Sequence, residues 1–84
     1  MARELIVVEA EFSKDDILVP LAFLRSGRKF RILSIGRTEL VGNVRRYLVT
    51  VENNQVFEIG YDLNRNVWAL YRSPKDFHPN GGRV

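Results

Sequence analysis

The chain has no cysteine, a single histidine and a single tryptophan, and each scarcity closes off a class of function. Without cysteine, neither disulfides nor thiolate metal sites can reinforce a core that is small at this length. A reducing compartment fits that composition. The lone His78 stands beside Pro79, two residues from Asp76, in the tail "SPKDFHPNGGRV". Two ligands there make a poor metal site, so a solvated histidine is the expectation. Ser13, Ser26, Ser34 and Ser73 have no basic partner in the sequence, and Asp15 and Asp16 would point apart in an extended chain. Gly81 and Gly82 lack a phosphate-loop context, and "SGRKF" lacks the glycines and the Lys-Ser/Thr pair of a Walker motif. The expectation is a protein that is not an enzyme, with no cofactor and no metal.

Long hydrophobic runs are also missing. "LIVV" and "ILVPLAFL" fall far short of the roughly 20 residues that cross a bilayer as a helix. The opening "MARELIVVEAEF" lacks the long apolar core of a secretory signal. The expected location is cytoplasmic, a bacterial or archaeal cytosol, with no membrane partner. What is present, 45% hydrophobic and 27% charged residues, is the balance of an ordinary globular chain and not of a disordered one.

Charge is unevenly spread. Residues 1–24 hold two cations against five acids, residues 25–46 hold seven cations against one acid, and the remainder holds four of each. The basic excess therefore belongs to one segment, Arg25, Arg28, Lys29, Arg31, Arg37, Arg45 and Arg46, with Glu39 its single acid. Such a block fits an anionic partner. It fits equally well an acidic first segment that lies beside the basic one and neutralises it, because opposite charges attract across neighbouring strands.

Short segments rich in Val, Ile, Phe, Tyr and Trp recur about every ten residues, the pattern of an antiparallel β protein. Residues 4–11 form a first strand, with Leu5 and Val7 on one face and Ile6 and Val8 on the other. In "SKDDILVPLAFLRSG", Ser13 and Asp16 have the spacing of a helix start. Pro20 in mid-helix, however, would cost about 3 kcal/mol. A loop or one short helical turn at 13–18, then a strand at 20–25, is expected. Ser26 and Gly27 turn the chain into "RKFRILSIG", where alternation slips after Ile32 and a bulge near Leu33 would restore it. Residues 36–43 read as a longer connection. Next comes "VRRYLVTVE"; the pair of asparagines in "ENNQ" suits a type I′ hairpin before "QVFEIGY", and "VWALYR" closes the series. The whole reads as one all-β domain over residues 1–72, a small curved antiparallel meander or partly open barrel of five to six strands. Residues 73–84 are expected to form a flexible C-terminal tail.

With strands placed, "VPLAFLRSGRKFRILSIGR" and "RRYLVTVENNQVFEIGYDLNRNVWALYR" resemble a family of uncharacterised small bacterial all-β proteins. Phe23, Gly27 with Arg28, Phe30 with Ile32, Tyr47 with Val49, Phe57, and Trp68 with Leu70 carry the likeness, which spans residues 5–72. Leu24 stands where that family often has a tryptophan, and "RTEL" where it often has another. Similar domains occur at the C-terminal end of proteins resembling Y-family DNA polymerases, which implies an accessory role linked to DNA repair.

Two functions compete. One is a protein-interaction or structural accessory module that docks through an exposed sheet edge or through Ile17 to Leu21, with homodimerisation through the same edge as a variant. The other is weak, sequence-independent binding of DNA or RNA. In that reading Lys29, Arg31 and Arg46 share one outer face with Arg25, Arg28 and Arg37 around the rim, Arg45 joins them in binding, and Tyr71 or Tyr61 stacks on bases. The chain is expected to be a monomer or a homodimer.

Overall fold

A lone antiparallel sheet with one apolar face has to curl onto itself to hide that face when no helical layer is available. The computed structural model, which describes residues 3–77, does this completely. Six strands, β1 (Glu4–Phe12), β2 (Leu18–Arg25), β3 (Arg28–Val41), β4 (Val44–Val51), β5 (Gln55–Asp62) and β6 (Val67–Arg72), follow one another as an antiparallel meander that closes into a barrel in the order β1-β2-β3-β4-β5-β6. The described residues contain no α-helix, only two 3-10 turns, Glu52–Asn54 and Pro74–Asp76. Among them no helix is long and apolar enough to cross a membrane.

Two strands make the corners by changing partner along their length. In β1, Glu4 to Ile6 pair with β6, while Val7 to Phe12 pair with β2. In β3, Arg28 to Arg31 pair with β2, while Ile32 to Val41 pair with β4. The bend in β3 sits at the slip in the hydrophobic alternation. Ile32 faces Val51 and Ser34 faces Thr50, which leaves Leu33 as the extra residue. A second bulge falls between Ile35 and Thr38. An extra residue adds local twist and bend, which closure of so small a barrel requires.

The hairpins follow local chemistry. Ser26 and Gly27 both take positive φ, and Arg25 faces Arg28 across a two-residue turn. Residues 36–43 do not form the longer connection expected from sequence. β3 runs on to Val41, and the turn is Gly42 and Asn43 alone, with Gly42 at φ +62. Asn53 and Asn54 adopt the positive φ their side chains tolerate, but Val51 faces Gln55, so the loop has three residues and not two. Between β1 and β2 there is no helical turn. Ser13 Oγ accepts hydrogen bonds from the Asp15 and Ile17 amides, and Asp16 has φ +61. β2 begins at Leu18, two residues before the expected start. It tolerates Pro20 because a bulge at Leu21 interrupts its pairing with β1 and β3 joins it only from Ala22. Beyond residue 72 the chain continues into a turn in which Ser73 and Asp76 cap each other. Residues 78–84 of the expected tail, His78 included, lie outside the described residues.

The interior holds Phe23, Tyr47, Val49, Val51, Phe57, Ile59 and Leu70, with Ile6, Val8, Phe30, Ile32, Ile35 and Trp68 packed around them. Side chains of this size contribute about 1.5–3 kcal/mol each when fully buried. Phe23 stacks on Phe30 at 5.1 Å, and Phe57 meets both edge-on at 5.1 and 5.3 Å. At the other end Trp68 contacts Tyr47 and Tyr61, and the Tyr47 hydroxyl donates to the Leu18 carbonyl. On the outside, Gly60 is buried beneath Tyr71. A Cβ there would fall 2.6 Å from the Tyr71 ring and 2.7 Å from Val44. Cross-strand aromatics commonly cover a strand glycine in this way.

Gly60→Ala should therefore lower stability by about 1–3 kcal/mol, read as a shifted urea midpoint with little change in slope. Burial raises the Tyr47 phenol above its ordinary pKa of about 10, against a smaller opposing pull from Arg45. A raised folded value means the unfolded chain releases this proton first. The contribution is whole below pH of about 10 and is lost as pH climbs through the folded value. Tyr47→Phe should cost about 1 kcal/mol at neutral pH and should flatten the decline in thermal stability above pH of about 10.

Candidate functional site

Closure of the barrel distributes the seven expected cations over three separate places. Arg25, Arg28, Lys29 and Arg31 lie around the β2–β3 hairpin. Arg25 Nε is 2.9 Å from Glu4 Oε2, and Lys29 Nζ is 3.0 Å from Glu9 Oε2. The acidic first strand thus lies beside the basic hairpin and neutralises half of it. Arg28 rests its guanidinium 4.9 Å from the Phe30 ring centre. Arg31, opposite Ala22, has no acid within ion-pair distance among the described residues and borders a shallow depression with Glu9, Leu21 and Lys29.

Arg37 and Arg46 lie elsewhere on the wall, where β3 and β4 meet β5 and β6. The expectation that Lys29, Arg31 and Arg46 share one face is therefore corrected. β3 bends between Arg31 and Arg37, and the two groups border different depressions with no residue in common. Arg45 is separated again. It follows Tyr47, Val49 and Val51 on the inward parity of β4, but β3 and β4 extend beyond the closed part of the barrel. Its side chain comes out at the mouth, in a cleft of about 150 Å³ with Phe12, Ile17, Leu18, Tyr61 and Leu63.

The most organised polar cluster combines Arg37 and Arg46 with three residues that sequence reasoning did not select: Glu39, Glu58 and Arg72. Glu58 is buried although it lies on the outward parity of β5. Arg72 Nε donates to it at 2.9 Å and Arg46 lies 4.0 Å away, while Glu39 faces Arg46 directly across β3 and β4. The Arg46 and Arg3 guanidiniums each lie 4.4 Å from the Tyr71 ring centre. Tyr71 is therefore covered by cations and not open for base stacking. Tyr61, the other expected stacker, is half-buried against Trp68 and donates to Asn66 Oδ1. Read across the strands, charge alternates as Arg72, Glu58, Arg46, Glu39. The aliphatic stems of the arginines cover the carboxylate beneath them.

This cluster borders a small open depression of about 50 Å³, against about 300–1,000 Å³ for a small-molecule site. Arg46 Nε is buried and has no hydrogen-bond partner among protein groups, so a water there would have something to accept from it. The described residues contain no group of three or more His, Asp and Glu placed to hold a metal ion. A larger groove, about 290 Å³, runs along the β1–β6–β5 wall over Gly60 and Ala69, between Arg3 and Arg65.

No protein-family model, curated protein or solved structure matches this chain. Of the residues that carry the resemblance noted from sequence, Phe23, Phe30, Ile32, Tyr47, Val49, Phe57, Trp68 and Leu70 belong to the interior cluster or pack against it, while Gly27 and Arg28 lie at the exposed β2–β3 turn. They account for a barrel and not for a particular surface.

Glu58 is buried and neutralises the half-buried Arg46 and the exposed Arg72 together, whereas Glu4 is solvent-exposed and pairs with Arg25 alone. Glu58→Leu should therefore destabilise the protein by about 1–3 kcal/mol. Arg25→Ala should cost less than about 1 kcal/mol. Urea unfolding of both variants under the same buffer checks the ordering.

Proposed function

We propose that the protein is a small non-enzymatic interaction module that binds another protein through the outer surface of β1 and β2. One observation carries this reading. Leu5 and Val7 on β1 are 69% and 65% exposed, and Leu24, directly opposite Val7 on β2, is 42% exposed. The outward positions of a solvated strand are ordinarily polar, and a continuous apolar stripe marks a contact surface. The Lys29–Glu9 pair borders the stripe and the Arg25–Glu4 pair lies at the end of the same two strands, giving an apolar centre with charges at its border, as in a protein–protein interface. The partner this surface fits presents apolar side chains framed by charges of both signs. If the resemblance to polymerase-associated domains extends to role, that partner belongs to the machinery of DNA repair.

The second reading, weak sequence-independent binding of DNA or RNA, keeps one favourable observation. Among the described residues Arg28 and Arg31 have no acid within ion-pair distance, on the same hairpin as Lys29. Against it stand Glu4 and Glu9, which occupy the strand beside them and would repel phosphates.

The test has two arms. Titrating isotope-labelled protein with single-stranded and duplex DNA should give weak shifts near Arg28 and Arg31 at low salt and none near physiological salt. Two phosphate contacts support a log-log salt slope of only about −1.4 to −1.8. Shifts across residues 25–46 that persist with salt would replace the protein-interaction reading with the nucleic-acid one. In the second arm, a protein retained on the immobilised chain should be lost with Val7→Glu and retained with Arg31→Ala and Arg46→Ala. Loss with the arginine variants alone would overturn the assignment of the surface.

A further inference from the structure

The barrel is closed in topology, but its walls part where β1 and β3 change partners, and the open edges this creates are not equivalent. On β2 the unpaired stretch before Ala22 is short, contains Pro20 with no amide to donate, and is bulged at Leu21. On β1 the free edge along Val7 to Phe12 includes two acids, Glu9 and Glu11, and no cation, so two copies brought together there would oppose acid to acid. On β3, Ile32 to Val41 pair with β4 on one side, and among the described residues no strand pairs with the other side. That edge is roughly 33 Å long. It includes Leu33, Leu40 and Val41, exposed at 59%, 53% and 43%, and its charges are one of each sign, Arg37 and Glu39.

We propose that this edge pairs with the same edge of a second copy, antiparallel about a two-fold axis through Thr38. Two constraints select that register. An edge-to-edge antiparallel pair about a two-fold keeps every side chain on its own face of the continuous sheet, so a residue meets only residues of its own parity. Centring the axis on Arg37 or on Glu39 opposes like charges, and centring it on Leu40 leaves both charges without an opposite. Centring on Thr38 places Arg37 opposite Glu39 of the second copy twice, with the two threonines facing each other between them.

The second constraint is the charge sequence already built across the wall. Arg72, Glu58, Arg46 and Glu39 alternate in sign from β6 to β3, and the series ends on an acid at the open edge. The strand added next should bring a cation to that position, and Arg37 of the second copy does so. Within one chain Arg37 reaches Glu39 only at 4.0 Å, and its side chain remains 73% exposed. The charges and bulges that keep unrelated strands off an edge here admit one register of one partner. The second bulge of β3 falls between Ile35 and Thr38, in the stretch that Thr38 to Val41 of the second copy would face, so the pairing is short and centres on Arg37 to Glu39.

This surface is distinct from the Leu5, Val7 and Leu24 stripe, so the two proposals fail separately. Sedimentation equilibrium of the full chain over a wide concentration range should give a reversible monomer–dimer equilibrium. Arg37→Glu and Glu39→Arg should each raise the dimer dissociation constant roughly tenfold or more by opposing like charges. An equimolar mixture of those two variants should regain dimer, as a heterodimer, because one then presents two acids and the other two cations. Far-ultraviolet circular dichroism on each variant confirms that the barrel is retained. Three results would overturn the proposal: a wild-type chain that stays monomeric to its solubility limit, a dimer lost with Val7→Glu but intact in both edge variants, or a mixture that stays monomeric.

Discussion

Three phenylalanine rings hold the walls of this barrel together. Phe23 and Phe30 face each other across β2 and β3, and Phe57 reaches them from β5 on the far side of the interior. Aromatic contacts of this geometry add about 0.5–1.5 kcal/mol beyond the area they bury. They also tie two parts of the sheet that no backbone ladder connects directly. A chain this short, without a helix or disulfide, has one way to hide an apolar face, and that way requires the two ends of the sheet to meet. β1 does so by lending its first three residues to β6 and the rest to β2. β3 makes the opposite corner with its bulge at Leu33.

The same corners determine where function can reside. The interior is filled by side chains, and the depression at Glu58 is small and lined by charged groups. What remains is the outer surface, sorted by closure into patches of different character. The β1–β2 wall is apolar with neutralised flanks, the β3–β6 wall is a series of alternating charges, and the mouth collects Arg45 with exposed apolar residues. Splitting of the basic segment among these patches is the main reason that the protein-interaction reading is favoured over a grip on nucleic acid. Phosphate binding needs cations that converge, and here the chain turns them apart or sets acids beside them.

Burial of Glu58 shows how fold and surface depend on each other. Its outward position should be solvated, yet Arg46 and Arg72 lie over it, and Arg46 in turn helps cover the Tyr71 ring that caps Gly60. A charge on the outer wall is therefore part of the packing of β4, β5 and β6. Substitutions in this group act on stability first and on any surface function second.

The sequence by itself determined the all-β class, the start of β3 after Gly27, the three strands that follow it, and the need for a bulge at Leu33. Each of these is written in alternation or in turn residues, which are local. It misjudged residues 36–43, because Gly36 at a bulge and Gly42 at a turn look alike until a partner strand is present. It gave the charge blocks but not their pairing. That Glu4 lies beside Arg25, Glu9 beside Lys29, and Glu58 beneath Arg72 and Arg46 depends on which strands are neighbours and in what register. Only the tertiary structure decided those, because closure is set by the summed packing of residues far apart in the chain, and no local pattern records it.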